Sequence, residues 1–565
     1  MEHDKHDRRD SVGGLQNHHM SNGRGADGFE IHDYRAKPSI DGFVSVDHTE
    51  FGRAPRWSTP KTFRHRRWPI RAHCRALWTA TRGSGDGFSV RVQDSGEKVA
   101  EESQVHTLRT LLPVVLASIS LFTVASQAQD LDQGELRSWV LDVAQIISTT
   151  EPNGRTSDLS SVGRSLGDAT IVMLGEGLHG GAEPLAFRNR LFAYLVEERD
   201  FDAIAIESGL VESRLVHDYV LDGSGNLDDA IELGLHSAFR NYPQNRELVQ
   251  WLRRYNSDSA HEKKVAFFGF DIPGSPGNST APRGIDTGLD EALRYLQRVG
   301  PEYEIAFRQR LRTVWPSLHF DPSGTERSQY VDLTQAQRDL LTSIVADVIG
   351  LFEREQASFV RRSSTIDYQW AYRAALGARQ VDTFLRGIPL DWEAGSDLGL
   401  WYGEIQQYRD RAMVDNMEWI LSQLGPAPKV LVFGENGHVG KASRQSTYPI
   451  DYEYTPFAAY LTQRYGDRII VIGHVFQGGT FAGCGGAPVQ SLAPAPESTV
   501  SGVFAQPGLP LFVLDLRTAP DPVAQWLRRP GDLWNGFEGG STVVANAFDL
   551  IFFSSTVTPA CPSGR

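Results

Sequence analysis

The chain has 565 residues, 40% of them hydrophobic and 22% charged, which is the ordinary composition of a globular protein. Its 56 basic and 70 acidic residues give a net charge of −14. We therefore expect no nucleic-acid partner, because sequence-independent nucleic-acid binding needs a basic surface. Three cysteines are too few for a disulfide-rich scaffold.

The first 128 residues are predicted to lie outside the fold. An apolar run at 111–125 follows Arg109 and precedes small residues, which is the pattern of a secretory signal peptide at 105–128. Because a signal peptide normally begins a protein, we interpret residues 1–104 as a non-native, disordered N-terminal extension. The alternative is a signal anchor with a disordered cytoplasmic tail. Signal cleavage predicts a periplasmic or secreted protein with no stable membrane insertion.

Seven short apolar runs follow and predict buried strands. They lie at 170–174, 203–206, 265–270, 430–433, 469–472, 511–516 and 550–553. Apolar runs without alternation are typical of parallel strands that are covered on both faces, so the predicted fold class is α/β, with a mainly parallel sheet flanked by helices. A helical stripe at 182–198 joins the first two runs, and this strand–helix–strand unit predicts that they are parallel neighbours.

The apolar runs stop between 288 and 425, where the sequence has helical periodicity. Three windows, at 333–355, 368–385 and 405–424, are rich in Gln, Arg, Glu and Ala. We therefore predict a helical subdomain at 288–425, inserted between two parts of the α/β core at 129–287 and 426–565. The sequence indicates no particular oligomeric state.

Polar side chains follow the first four predicted strands at the point where each strand ends. They are Glu176 and His179 after the first strand, Glu207 at the second, Asp271 at the third, and Glu435, Asn436 and His438 after the fourth. Ligand sites in open α/β sheets form at the carboxyl edge of the strands. We therefore expect these side chains to converge on one site.

His179 is the predicted general base of this site. It lies in a loop with four glycines at 175–181, which allows a substrate to approach the backbone closely. Glu176 or Glu207 would orient the imidazole and stabilise its protonated form. Glu207 ends an apolar strand and needs a cation, for which Arg188 is the candidate, because an unpaired buried carboxylate is costly.

His438 lies in a second glycine-rich loop and is predicted to polarise a carbonyl group or to protonate a leaving group. Each of these residues also has a structural interpretation. His179 and His438 could be satisfied buried histidines, and Glu207 could belong to a structural salt bridge.

Two other classes of function use the same residues. A metal-dependent hydrolase could take its mixed oxygen and nitrogen ligands from Glu176, His179, Glu207, Glu435 and His438. The G-E-x-x-H run lacks the second histidine of the H-E-x-x-H zinc helix, so that zinc motif is excluded. In the favoured interpretation we expect no metal and no cofactor. A non-catalytic exported binding protein could hold a ligand in the same cleft.

The run from Leu174 to Glu207, with G-E-x-x-H at 175–179 and Arg188 on the next helix, resembles the erythromycin esterase family. Further matching stretches lie at 245–256, 269–271, 408–413, 436–438 and 547–553. The resemblance implies an α/β core with a helical part and a cleft between them. It also implies hydrolysis of a macrocyclic lactone by water, without a serine or cysteine nucleophile.

The resemblance also assigns roles to residues of this chain. It implies that His179 activates the water and that four further residues complete the polar centre: Glu176, Arg188, Glu207 and His438. The expected partner is a small-molecule ester or lactone, and four residues are predicted to contact it: Glu435, Asn436, Asp271 and Glu183.

One position departs from the family pattern. Family members commonly read A-H-N-x-H where this chain reads G-E-N-G-H at 434–438, so that Glu435 replaces a histidine. The change inverts a potential charge in the site and leaves the acceptance of macrolides open. Cys484 and Cys561 lie in loops rich in glycine and proline, and they could pair in an oxidising compartment.

Overall fold

The computed structural model describes residues 133–561 except for the following segments: 153, 237–238, 275–283, 316–317, 319–329, 331–332, 388–398, 443, 447–451, 485–487, 535 and 537–538. The predicted extension at 1–104 and the predicted signal peptide at 105–128 lie outside the described residues. Within the described residues, no helix is both long and apolar enough to cross a membrane.

The described residues form fourteen strands. They are β1 (Gln145–Ile146), β2 (Ile171–Glu176), β3 (Ala203–Gly209), β4 (Ala266–Asp271), β5 (Val430–Glu435), β6 (Arg444–Ser446), β7 (Tyr452–Tyr454), β8 (Ile469–Phe476), β9 (Gly479–Phe481), β10 (Gln490–Leu492), β11 (Leu511–Asp515), β12 (Pro530–Trp534), β13 (Gly539–Val543) and β14 (Leu550–Ser554).

The described residues also form sixteen α-helices. They are α1 (Gln133–Val143), α2 (Leu159–Leu166), α3 (Ala182–Arg199), α4 (Arg214–Asp222), α5 (Leu227–Gly234), α6 (Pro243–Ser257), α7 (Ile285–Val299), α8 (Pro301–Leu311), α9 (Gln335–Arg362), α10 (Thr365–Arg386), α11 (Gly399–Gln423), α12 (Asn436–Val439), α13 (Phe457–Tyr465), α14 (Val500–Ala505), α15 (Asp521–Leu527) and α16 (Val544–Ala547).

The central sheet has eight strands in the order β1-β11-β14-β8-β2-β5-β3-β4. The six strands from β14 to β4 are parallel, and β11 and β1 add an antiparallel edge. The predicted fold class, a mainly parallel sheet flanked by helices, is therefore confirmed. A four-stranded antiparallel sheet, β12-β13-β6-β7, and the hairpin of β9 and β10 complete the strands.

Both faces of the central sheet are buried, as the apolar runs predict. Along β2, Ile171 and Met173 belong to the core on one face, while Val172 and Leu174 belong to the core on the other. Because successive side chains point to opposite faces, an all-apolar strand contributes to two cores at once.

The predicted pairing of the first two strands is wrong in one respect. β2 and β3 are parallel, but β5 lies between them and pairs with both. The strand that separates them is more than 200 residues later in the chain, so the local strand–helix–strand pattern contains no signal of it. Its insertion brings His438 between the ends of β2 and β3. His438 lies in the one-turn helix α12, which follows β5 directly, and not in the predicted glycine-rich loop.

Five helices, α7 to α11, lie between β4 and β5 in the chain and build a third core of their own. The last of them also packs on the sheet, because Met413, Val414, Met417 and Ile420 of α11 belong to a core of the sheet. Helix α11 therefore connects the inserted helices to the carboxyl edge of the strands.

Candidate active site

Glu176 and His179 form a close pair at the carboxyl end of β2. The Glu176 side chain is fully buried, and its Oε1 lies 2.6 Å from Nδ1 of His179, whose side chain is 36% exposed. The loop between β2 and α3 reverses at Gly180, whose φ of +81° is a conformation that favours glycine. The loop thus holds one ring nitrogen of His179 against a buried carboxylate and leaves the ring partly open to solvent.

The charges around this pair favour a protonated imidazole. Burial lowers the pKa of His179, but the charge and hydrogen bond of Glu176 and the charges of Glu207 and Glu435 outweigh it and raise the pKa to about 10. Burial raises the pKa of Glu176, and the neighbouring His179 partly offsets this effect. His179 therefore becomes an effective base only as the pH rises.

Glu435 lies on the open side of the imidazole. Its Oε2 is 3.7 Å from Nε2 of His179, and its side chain is 37% exposed. The backbone N–H of Glu435 donates to Oε2 of Glu207 at 2.7 Å. A cavity that is open to solvent is lined partly by Glu435, Gly177 and Trp534. Glu435 is therefore the acidic group between the exposed imidazole and this cavity.

Arg409 of α11 is the cation that contacts Glu207. Its Nη2 donates to Oε1 of Glu207 and to Oδ2 of Asp271, both at 2.7 Å, and all three side chains are buried. Burial alone would raise the pKa of Glu207, but the charges of His438 and Arg409 lower it to about 2. The expectation that Arg188 pairs with Glu207 is therefore wrong, because α11 supplies the cation from the inserted helices.

His438 is held between carboxylates on two sides. Its Nδ1 lies 3.0 Å from both carboxylate oxygens of Asp410, and its Nε2 lies 3.0 Å from Nη1 of Arg409 and 3.5 Å from Oε1 of Glu207. Burial lowers the pKa of His438, whereas Asp410 and Glu207 raise it to about 9. Since Arg409 can only donate, its contact with Nε2 is a hydrogen bond when Nε2 accepts and the ring proton is on Nδ1, towards Asp410.

Arg188 is buried near Glu176, between α3 and the central sheet. Its guanidinium is fully buried, lies over the Phe433 ring at 4.7 Å and donates from Nε and Nη2 to Oδ1 of Asn189. Nη1 of Arg188 and Oε2 of Glu176 have no hydrogen-bond partner among the described residues. Burial lowers the pKa of Arg188 to about 9, although the charge of Glu176 acts in the opposite direction.

Three of the predicted substrate contacts are engaged within the protein. Asp271 is fully buried beneath Arg409. Asn436 donates to the backbone oxygen of His474 at 2.7 Å and accepts from its N–H at 3.0 Å, which connects the start of α12 to β8. Glu183 accepts from the backbone N–H and the hydroxyl group of Thr558, both at 2.8 Å. Of the four predicted contacts, Glu435 is the one that faces the imidazole.

The described residues contain no group of three or more His, Cys, Asp and Glu side chains with a spacing that could hold a metal ion. Glu207 and His438, two of the ligands in the metal hypothesis, both contact Arg409 instead. A guanidinium thus already lies between Glu207 and His438, two of the groups that the metal hypothesis uses as ligands.

Comparison with known proteins identifies the family. The model of the family described as "Erythromycin esterase" matches residues 196–557, which is more than half of the chain. The chain belongs to the erythromycin esterase family. The match begins within α3, after Glu176, His179 and Arg188, and includes Glu207, Arg409 and His438. Membership of this family supports a hydrolase.

Individual members of the erythromycin esterase family and structural neighbours are distant. The chain is 23% identical to the erythromycin esterase type II of Escherichia coli over 343 residues, which cover 59% of this chain and 75% of that protein. A Bacillus cereus protein of known structure has a TM-score of 0.62 and 22% identity and covers 76% of this chain and 99% of its own.

A mutant of the erythromycin esterase EreC, solved in an open conformation, has a TM-score of 0.56 and 16% identity. It covers 73% of this chain and 96% of its own. At these identities the two solved structures show a common fold.

Sequence reasoning missed three residues that lie in or beside this candidate site. Arg409 and Asp410 lie in a stretch that matches the family, but a charged pair in a helix gives no sign by itself that it is buried. His236 is also buried, and the charges of Asp271, Arg409, His179 and Glu207 all act on it. Burial lowers the pKa of His236 to about 4, so this third imidazole is neutral.

Proposed function

We propose that the protein is an exported hydrolase that cleaves a carboxylic ester or macrocyclic lactone with water activated by His179, without a covalent intermediate. The observation that carries the proposal is the geometry of His179. Its Nδ1 is held at 2.6 Å by the buried carboxylate of Glu176, and Nε2 lies on the side of the exposed Glu435. This is the arrangement of a base and the group that orients it.

The proposed reaction requires the neutral imidazole. Nδ1–H donates to Glu176, and Nε2 accepts a proton from water while the water oxygen attacks the carbonyl carbon. When the tetrahedral intermediate collapses, the C–O bond to the alcohol breaks and the imidazolium returns its proton to the leaving oxygen. Glu435, whose Oε2 lies 3.7 Å from Nε2, is placed to accept a hydrogen bond from the other O–H of the same water and so to orient it.

Positive charge near the site supports the developing oxyanion. Arg188 and His438 are both buried, so they act through the electric field rather than by direct contact. Fixed charges are most effective where water is excluded, which is the situation of both groups. The cavity beside Glu435 and Trp534 is the space that we propose for part of the substrate.

Export is the second part of the proposal. The predicted signal peptide at 105–128 and the disulfide between Cys484 and Cys561 support it, because disulfides persist in oxidising compartments. Intact-mass analysis of the native protein should give a mature N-terminus near Gln129. A mature protein that retains residues 1–104 would contradict export by this route.

The test of the proposed chemistry is a hydrolysis screen of macrolides, other lactones and simple esters with wild-type protein and His179→Ala. Wild-type protein should hydrolyse at least one class, and a single turnover in ¹⁸O-water should place one ¹⁸O in the carboxylate product. His179→Ala should bind the same substrate and hydrolyse it about 10²- to 10⁴-fold more slowly. An acyl–protein adduct would contradict direct attack by water.

Two outcomes of the same screen would favour the alternatives. Loss of activity with a chelator and its recovery with added metal would favour a metal-dependent hydrolase. Binding of esters or lactones by wild-type protein without hydrolysis of any of them would favour a non-catalytic binding protein.

A further inference from the structure

The segment at 555–561, called here the C-terminal strap, pairs with the loop that holds His179. The N–H of Ala182 donates to the carbonyl oxygen of Thr558, and the N–H of Ala560 donates to the carbonyl oxygen of Gly180, both at 2.8 Å. Gly181 and Pro559 form an antiparallel bridge between these two bonds. The strap therefore fixes the backbone that directly follows His179.

A side chain strengthens this pairing. Glu183, in the first turn of α3, accepts from both the N–H and the hydroxyl group of Thr558 at 2.8 Å. Hydrogen bonds to a carboxylate are stronger than those between neutral groups. This contact accounts for Glu183 better than substrate binding does, because both of its oxygens are occupied by the strap.

The other edge of the strap is held by β9 and its preceding loop. The N–H of Val557 donates to the carbonyl oxygen of Gly478 at 2.9 Å, and the N–H of Thr480 donates to the carbonyl oxygen of Val557 at 2.8 Å. A Cβ atom on Gly479, whose φ is +140°, would lie 2.0 Å from the Val557 carbonyl oxygen, so only glycine permits this approach.

A disulfide closes the strap at its end. Cys561 is bonded to Cys484, which lies three residues after β9 and 77 residues earlier in the chain, and the two Cα atoms are 5.4 Å apart. Ala560 and Cys561 are also buried in one core of the sheet. The strap is thus attached covalently to the same hairpin that pairs with it.

The loop around His179 depends on such external contacts. Three of its five residues at 177–181 are glycine, which restricts the backbone least. At its start, the N–H of Gly177 donates to Nδ1 of His474 at 3.1 Å, and at its end the strap supplies the contacts described above. A general base must be held within a fraction of an ångström of its working position.

We propose that the C-terminal strap, closed by the Cys484–Cys561 disulfide, is a positioning element for His179, so that opening the disulfide lowers the turnover rate. The proposal rests on the proposed role of His179 as the base. It connects the oxidation state of two cysteines outside the polar centre to the rate of hydrolysis.

The test compares three forms of the full chain: the variant with both Cys484→Ser and Cys561→Ser, Thr558→Val, and wild-type protein treated with dithiothreitol. We expect kcat to fall about tenfold in the double variant and less in Thr558→Val, with KM within about twofold, because misplacing a catalytic group by about 1 Å can cost about a hundredfold. Amide hydrogen exchange at Ala182 should become faster in all three forms.

Matched controls identify the disulfide as the cause. Dithiothreitol should have no further effect on the double variant, which would show that its effect on wild-type protein comes from opening the Cys484–Cys561 disulfide. Thr558→Val keeps the disulfide and removes the hydroxyl contact with Glu183. It therefore tests the role of the strap even if the double variant does not fold.

The proposal is overturned if the double variant and Thr558→Val both have the kcat of wild-type protein at a temperature where all three are folded. A lower melting temperature of the variants would not change that conclusion. The same conclusion follows if KM alone changes. If His179→Ala retains full hydrolysis while exchange at Ala182 responds to the strap, the proposed function fails and the anchoring by the strap stands.

Discussion

Replacing Glu435 by glutamine should shift the pH profile of hydrolysis to lower pH. The carboxylate lies 3.7 Å from Nε2 of His179, and both side chains are more than one third exposed. At this separation the attraction is about 1 kcal/mol in a water-like dielectric, and exposed pairs measure about 0.2 to 1 kcal/mol. Removing the charge should therefore lower the pKa of His179 by about 0.15 to 0.7 unit, at 1.36 kcal/mol per unit.

The sign of the shift follows from which form of His179 is active. The neutral imidazole is the base, so kcat/KM should rise with pH through the pKa of His179, which the acidic neighbours raise above its ordinary value. In Glu435→Gln the midpoint of this rise should move down, and activity near neutral pH should increase relative to the plateau. The plateau itself should fall if Glu435 also orients the water.

The assay is kcat/KM for one ester substrate from pH 7 to about one pH unit above the His179 pKa of about 10, corrected for uncatalysed hydrolysis, with Glu302→Gln as the control. Glu302 is an exposed carboxylate on α8, among the inserted helices, and its replacement should leave the midpoint unchanged. A midpoint in Glu435→Gln that stays in place or moves to higher pH would refute the electrostatic reasoning.

Two further predictions concern the buried polar centre. Arg409→Leu should lower the free energy of unfolding by about 3 to 5 kcal/mol, because it leaves Glu207 and Asp271 buried without their cation; chemical denaturation measures this, and a loss below about 1 kcal/mol would contradict the assigned pairing. Asp410→Asn should lower the pKa of His438 by at least about one unit, since the Asp410 charge raises that pKa. An unchanged His438 titration by NMR would contradict that assignment.

The sequence was sufficient for seven of the eight strands of the central sheet and for the edge at which the site forms, but not for the short strands of the smaller sheets. Continuous apolar runs with a carboxylate or glycine at the end mark β2, β3, β4 and β5, and their carboxyl ends do meet. The helix predicted at 182–198 is α3 at Ala182–Arg199. These features follow from local composition and periodicity, which a single sequence contains.

The strand order could not be predicted, because it depends on a pairing across more than 200 residues. β5 inserts between β2 and β3, and no local pattern distinguishes this order from one in which β2 and β3 are neighbours. The same limit applies to β11, whose apolar run is as continuous as the others although it pairs antiparallel with β14. Burial on both faces, rather than strand direction, determines this composition.

The cation of the site could not be assigned for a related reason. Arg188 is close to Glu207 in sequence, whereas Arg409 is 202 residues away and reaches it through helix α11. In a helix whose sequence mixes polar and apolar residues, the sequence does not distinguish a buried arginine from an exposed one. Only the packing of α11 on the sheet distinguishes Arg409 from neighbours such as Arg411, whose side chain is exposed.

The most direct measurement is hydrolysis by His179→Ala with and without added imidazole. The variant should lose about 10²- to 10⁴-fold in kcat/KM, the usual contribution of a general base. Because the His179 side chain is 36% exposed, free imidazole has access to the space that the substitution opens and should restore part of the rate, more strongly as the pH rises through the pKa of imidazole. Hydrolysis by His179→Ala at the wild-type rate without imidazole would contradict the role of this residue as the base.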